Sequence, residues 1–296
     1  MQRGYGVMRP SLYRLSTWKV VGLGIIASVV LGCGASKTQL QAPEHYRFAQ
    51  SYLGTGSYTL AEQEIRKALA LQPQDAQYLG FLALIYQAQG RYAPAEDAYR
   101  LAVQEPEVPP AVLVNYSTLL LLRNREDEAI ALTQRALQSP GYDKPAFAYT
   151  NLGLAYLQKG LLTQALAHFQ KALEYQMDLP QVYHNLGLVY DRLGQHAEAI
   201  RSFREATRYQ PSYVEAYHGL GKALLEGRQY AEATEAFREA IRLRSSYIEA
   251  YHGLVKALLA SGRKEEARVA FERVVALDPH SQAVADLRTQ LKLLTP

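Results

Sequence analysis

The chain is 296 residues long, carries a formal charge of +4 and is 48% hydrophobic by residue, with 22 tyrosines but a single cysteine, Cys33. One sulfur excludes an intrachain disulfide, a redox CxxC pair and a cysteine-based zinc site. The charge marks no nucleic-acid surface, because beyond residue 19 lysine and arginine are interspersed with acids rather than clustered on one face.

At the N-terminus, residues 1–19 hold Arg3, Arg9, Arg14 and Lys19 and no acid, and residues 20–32 follow without a charge and end in Gly32. A basic stretch, an apolar stretch and a small residue make a secretory signal over residues 1–32. The thirteen-residue run is short for a permanent span, which needs about 20 apolar residues. The VLGC at residues 30–33 resembles the bacterial lipobox, with Val30 and Leu31 as a less common variant of its first positions. That resemblance implies cleavage before Cys33, a diacylglycerol thioether on its sulfur and acylation of the new N-terminus. The alternative is an uncleaved anchor with a bystander thiol. Several acyl chains together hold a protein on a bilayer where one holds it only marginally. Gly34 follows the cysteine in place of the aspartate that retains such proteins at the inner membrane of enterobacteria, so the expected location is the bacterial outer membrane, lipid-anchored and facing the periplasm. Removing the four N-terminal positive charges from +4 leaves a formally neutral chain. Residues 33–41, small and polar, read as a lipidated tether.

From residue 42 the chain is periodic. Ala61, Ala95, Ala129, Ala165, Ala199, Ala233 and Ala267 each sit in an amphipathic helical stretch, and they are spaced by 34 residues except for one step of 36. Before most of them lies a second helical pattern, as in YLGFLALIYQAQG, YTNLGLAYLQKG and YHNLGLVYDRLG. This resembles the tetratricopeptide repeat, seven times over residues 42–281. The implied fold is all-α, a right-handed superhelical solenoid of about seven helix-turn-helix units with a C-terminal cap. Small residues are needed where paired helices cross, so Gly153, Gly187 and Gly221 are expected to face Ala165, Ala199 and Ala233. Tyr149, Tyr183, Tyr217 and Tyr251 take one large-residue slot, and Tyr52, Tyr86, Tyr156 and Tyr190 another. Gly56, Gly90, Gly160, Gly194 and Gly262 fall at the turns, where a left-handed backbone is wanted. Pro73, Pro211 and Pro279 end second helices. Residues 282–296 form the capping helix and tail, with Val284, Leu287 and Leu291 on one face.

The sequence carries no motif of catalysis: the seven histidines include no HExxH, and there is no nucleotide-binding glycine loop and no GxSxG elbow. The expectation is a protein that is not an enzyme, with no cofactor, no metal site, no nucleic-acid partner and no small-molecule substrate. His184, His218 and His252 recur at 34-residue spacing. The spacing raises a metal or pH-sensing role, but helices packed about 8–10 Å apart or more hold imidazoles too far apart to share an ion easily. The slot reads instead as one filled by any polar residue.

In the repeat family the ligand groove is lined by fixed positions of each first helix. Carried onto this sequence, those positions give an apolar partner-binding groove of Tyr46, Leu53, Leu84, Val114, Leu121, Leu122, Phe147, Leu154 and Leu157. They also give a polar continuation of Gln181, His184, Asp191, Glu215, His218, Lys222, Glu249, His252 and Lys256. An exposed apolar stripe marks a protein-binding site; the alternative is that these leucines pack beneath a neighbouring helix. The Asn115–Tyr116 pair, the longer 140–145 connection and the Asn-Leu-Gly at 151–153, together with the lipobox, resemble the type IV pilus biogenesis lipoproteins, the PilF/PilW pilotins. Ser117 stands where that family usually has glycine, and seven repeats stand where it usually has six. The resemblance implies an outer-membrane scaffold that assists secretin localisation or multimerisation, with a secretin as protein partner. A general envelope scaffold, acting in cell-wall remodelling, polysaccharide export or protease regulation, is the other expectation.

Overall fold

The computed structural model describes residues 41–280 and 282–292, so the expected signal peptide, Cys33 and all of the tether but Gln41 lie outside the described residues. Fifteen helices and no strand occur among the described residues. They divide into two compact units at Asp143/Lys144. The division falls inside the 140–145 connection, where the repeat period lengthens by two.

Unit 1 holds α1 (Ala42–Gly54), α2 (Tyr58–Leu71), α3 (Ala76–Ala88), α4 (Tyr92–Ala102), α5 (Pro110–Leu122) and α6 (Glu126–Leu137). These pair as three hairpins, α1/α2, α3/α4 and α5/α6, stacked through α2 on α3, α3 on α5 and α4 on α5. Unit 2 holds α7 (Pro145–Gln158), α8 (Leu162–Tyr175), α9 (Pro180–Arg192), α10 (His196–Tyr209), α11 (Val214–Glu226), α12 (Tyr230–Leu243), α13 (Ile248–Ala260), α14 (Lys264–Leu277) and α15 (Gln282–Lys292). It stacks four hairpins, with α15 against α13 and α14. There Val284 and Leu287 are buried while Asp286 and Arg288 are exposed. The side chain of Leu291 is outside the description.

Local chemistry sets where the helices begin and end. Pro110, Pro145 and Pro180 open α5, α7 and α9, at a position where the missing N–H costs nothing. Asp75 caps α3 by accepting from the Tyr78 N–H at 2.9 Å. Every first helix closes the same way: the residue after the turn donates its N–H back five positions, as in Arg91 to Tyr86 O at 2.8 Å and Leu161 to Tyr156 O at 2.8 Å. That closure needs a left-handed residue. Gly56, Gly90, Gly160, Gly194 and Gly262 supply it at φ of 72–78°, while Asn124 at 54° and Arg228 at 59° supply it without being glycine. In the sixth repeat Gly227 stands one residue too early.

The seven periodic alanines are all buried to 1% exposure or less, which makes them the close-crossing positions. The glycine pairing differs from expectation. A Cβ on Gly153, Gly187 or Gly221 would meet the rings of Phe169, Phe203 and Phe237, at 2.5, 2.6 and 2.8 Å, and not the alanines four residues earlier. The physical reason is volume: a glycine notch admits a whole ring between the helices, whereas an alanine opposite it would leave a void. Equivalent repeat positions exchange volume across the pair: Ala83 with Tyr99, Ser117 with Thr133, Gly187 with Phe203. All six are buried. Ser117 and Thr133 satisfy their hydroxyls on carbonyls of their own helices, Val114 O at 2.8 Å and Ala129 O at 2.7 Å. In the last repeat Val255 takes the notch position and Phe271 is pushed to partial exposure.

Candidate partner-binding face

The residues expected to line the groove lie on first helices of both units. In unit 1, Leu53 of α1 and Val114 and Leu121 of α5 are buried. Leu157 of α7 in unit 2 is buried as well. These four pack inward, as a correction to the expected exposed stripe, because stacked neighbours cover the positions that one hairpin alone would expose. Tyr46, Leu84 and Leu122 in unit 1, and Phe147 and Leu154 in unit 2, keep partial exposure.

At the α1/α3 joint an aromatic cluster extends the set beyond the mapped positions. The Tyr46 ring lies 5.2 Å from Tyr78 and 5.1 Å from Phe81, edge-on to the latter. Gln77 donates to the Tyr46 hydroxyl at 3.2 Å. Burial raises the Tyr46 phenol above its ordinary range, partly countered by the Gln77 and Gln50 hydrogen bonds, so it stays protonated, an apolar ring with a polar tip. Phe81 is partly exposed. Its place in the LGFLALIY run was legible as apolar, but nothing in the repeat register singled it out.

Charged groups brace the hairpins of unit 1. Glu96, buried on α4, accepts from Arg125 across the repeat and from Arg100 at 3.1 Å, with Arg123 3.4 Å away. Glu62 repeats the device one repeat earlier, with Arg66 and Arg91 at 3.0 Å.

In unit 2 some of the polar positions are ion-paired. Lys222 of α11 reaches Asp191 of α9 at 2.7 Å, and Arg244 reaches Glu215 of α11 at 2.7 Å. The histidines are not generic polar fillers. His184 is 6% exposed. It packs between Phe203 and Tyr213, with ring centroids at 5.6 and 5.0 Å. His218 repeats this between Phe237 and Tyr247, at 5.9 and 5.3 Å. Burial lowers the affinity of all three imidazoles for a proton, His184 to about 4. Stacking from the next repeat, invisible in one repeat's pattern, closes this slot. Among the described residues no group of three or more His, Cys, Asp or Glu is placed to hold a metal ion, and no helix is long and apolar enough to cross a membrane.

Tetratricopeptide-repeat signatures match residues 46–112, 144–212, 184–248 and 224–291. The chain is 31% identical over 131 residues to the type IV pilus assembly protein PilF of Pseudomonas aeruginosa, a match covering 44% of this chain and 52% of PilF, so it spans about half the length of that relative. Among solved structures, PilW, a widely conserved type IV pilus biogenesis factor, superposes with a TM-score of 0.58 at 20% identity over 83% of this chain and 98% of PilW. The structure of Pseudomonas aeruginosa PilF gives 0.53 at 20% identity, covering 84% and 97% of the two chains. At these identities the structural likeness speaks for the fold. Taken with the repeats seen in the helices, these matches establish that the chain belongs to the tetratricopeptide-repeat family and resembles the PilF/PilW pilus proteins.

Proposed function

We propose that this protein is a non-enzymatic scaffold of type IV pilus biogenesis that acts as a pilotin. It is anchored in the outer membrane through acyl chains on Cys33 and assists a secretin to localise or multimerise. The observation that carries the reading is the similarity to PilF over 131 residues. Each unit by itself offers partly exposed apolar residues to a protein segment: Tyr46, Phe81, Leu84 and Leu122 in unit 1, and Phe147 and Leu154 in unit 2. Repeat scaffolds of this kind bind through such faces and carry no convergent site for chemistry.

The test is an immunoblot of outer membranes from a deletion strain, run without boiling and probed for detergent-resistant secretin multimers, with wild-type and Cys33→Ala complementation. Multimers that vanish while monomer persists, and that return fully only with the lipidated form, support the proposal. Unchanged multimers refute it and leave the general envelope scaffold, for which the share of the chain outside the PilF similarity leaves room.

A further inference from the structure

The histidine ladder of unit 2 has a physical property that partner capture does not use. His184 and His218 each sit at a joint between repeats, where the second helix of their own hairpin and the residues entering the next hairpin close over them; His252 takes the same repeat position on α13 and is partly exposed. His184 touches Phe203 of α10 and Tyr213 ahead of α11, and its Nδ1 lies 3.4 Å from the Tyr213 hydroxyl. His218 lies against Phe237 of α12 and Tyr247 ahead of α13. The His252 Nε2 on α13 and the Tyr247 hydroxyl are buried without a hydrogen-bond partner. A protonated imidazole needs two acceptors, and these joints offer rings instead.

We infer that the joints from α9 to α13 form an acid-sensitive element, in which protonation of His184, His218 and His252 loosens the stacking of unit 2. The charged groups facing each histidine leave this balance in place. Around His184, Glu215 of α11 favours the proton and His218 opposes it, with burial dominant. Around His218, burial is again dominant; Glu249 at the start of α13 and Glu215 favour the proton and Lys222 opposes it. Around His252, burial leads, with Glu249 and Asp278 favouring and Lys256 opposing. A folded imidazole of weakened proton affinity leaves stability intact above the ordinary histidine range. That stability is lost as pH falls, because the unfolded chain takes up the proton first; for His184 the loss runs from about 6.5 down to about 4. Unit 1 carries no such ladder: its one histidine, His45, is paired with Glu64 at 2.6 Å, and its depressed carboxylates Glu62, Glu64, Glu96 and Glu128 come into play only below the ordinary carboxylate range. The loosened joints are also those bridged by Lys222–Asp191 and Arg244–Glu215, so the surface that carries these ion pairs is the one that acid disrupts.

The experiment is hydrogen exchange by mass spectrometry on the full chain at pH 7.5, 6.0 and 5.0, corrected for intrinsic exchange. Expected is a fall in protection of α9–α13 by about tenfold or more at pH 5.0, since each shifted imidazole contributes up to about tenfold per pH unit, with α1–α6 changed by less than about twofold. In H184N/H218N/H252N the fall shrinks to the part left by His168, whose imidazole burial also disfavours charging. An equal fall in both units, or an undiminished fall in the variant, overturns the inference. Should the triple variant not fold, exchange at the imidazole C2–H of the wild-type chain decides: His184 titrating at the ordinary histidine value overturns it.

Discussion

Replacing Gly187 by alanine tests the central packing claim. The new methyl would stand 2.6 Å from the Phe203 ring, which is 1% exposed, and the ring cannot retreat because Gly219 of α11 lies against it from the other side, where an added Cβ would stand 2.5 Å away. Overpacking of this kind costs about 1–3 kcal/mol, and the helical gain of Gly→Ala returns about 0.5–1 kcal/mol, for a net loss of up to about 2.5 kcal/mol. Gly54→Ala is the internal control, since Gly54 sits in α1 with nothing within 4 Å of an added Cβ; it should be neutral or gain up to about 1 kcal/mol. Urea unfolding followed by circular dichroism measures both. The decisive comparison is the cycle with Phe203→Leu, which shrinks the ring the methyl strikes: the double variant should recover at least about 1 kcal/mol relative to additivity. A Gly187→Ala protein as stable as the control, or an additive cycle, refutes the notch account.

The remaining predictions concern other links in the chain of reasoning. Arg228→Gly should stabilise by about 0.5–1 kcal/mol, because Arg228 occupies a left-handed turn that suits glycine, whereas Gly160→Ala, at φ +74°, should cost about 1–2 kcal/mol; thermal melts of both check the sign. Glu96→Gln should destabilise unit 1 by about 1–2 kcal/mol at neutral pH. Burial alone would raise the Glu96 carboxyl, but hydrogen bonds and charge from Arg125 and its neighbours hold it below the usual range. Its contribution is therefore full above the ordinary carboxylate value and lost as pH falls through the depressed one; urea titrations at pH 7 and pH 3 should show the variant's deficit shrinking in acid. Phe81→Ser with Leu84→Ser should weaken secretin co-purification about tenfold, about 1.4 kcal/mol, with helicity unchanged; full retention would remove the α1/α3 face from the proposed surface.

What could be read in the one-dimensional chain was whatever a repeat imposes on itself. The alanine spacing, the turn glycines and the helix-ending prolines follow from constraints within one hairpin, namely a close crossing, a left-handed closure and a missing N–H. The lengthened step at 140–145 was equally visible, and the boundary between the two units falls there. The tertiary structure decided what depends on the next hairpin. It showed that the glycine notch receives Phe203 and not Ala199, that Asn124 and Arg228 accept a left-handed turn, and that Leu53, Val114, Leu121 and Leu157 turn inward. It also showed that His184, in a position that looked open to any polar residue, is sealed between Phe203 and Tyr213. Burial is a property of neighbours stacked in space, and a periodic sequence records each residue's own place in the repeat but not the side chain that the following repeat lays over it.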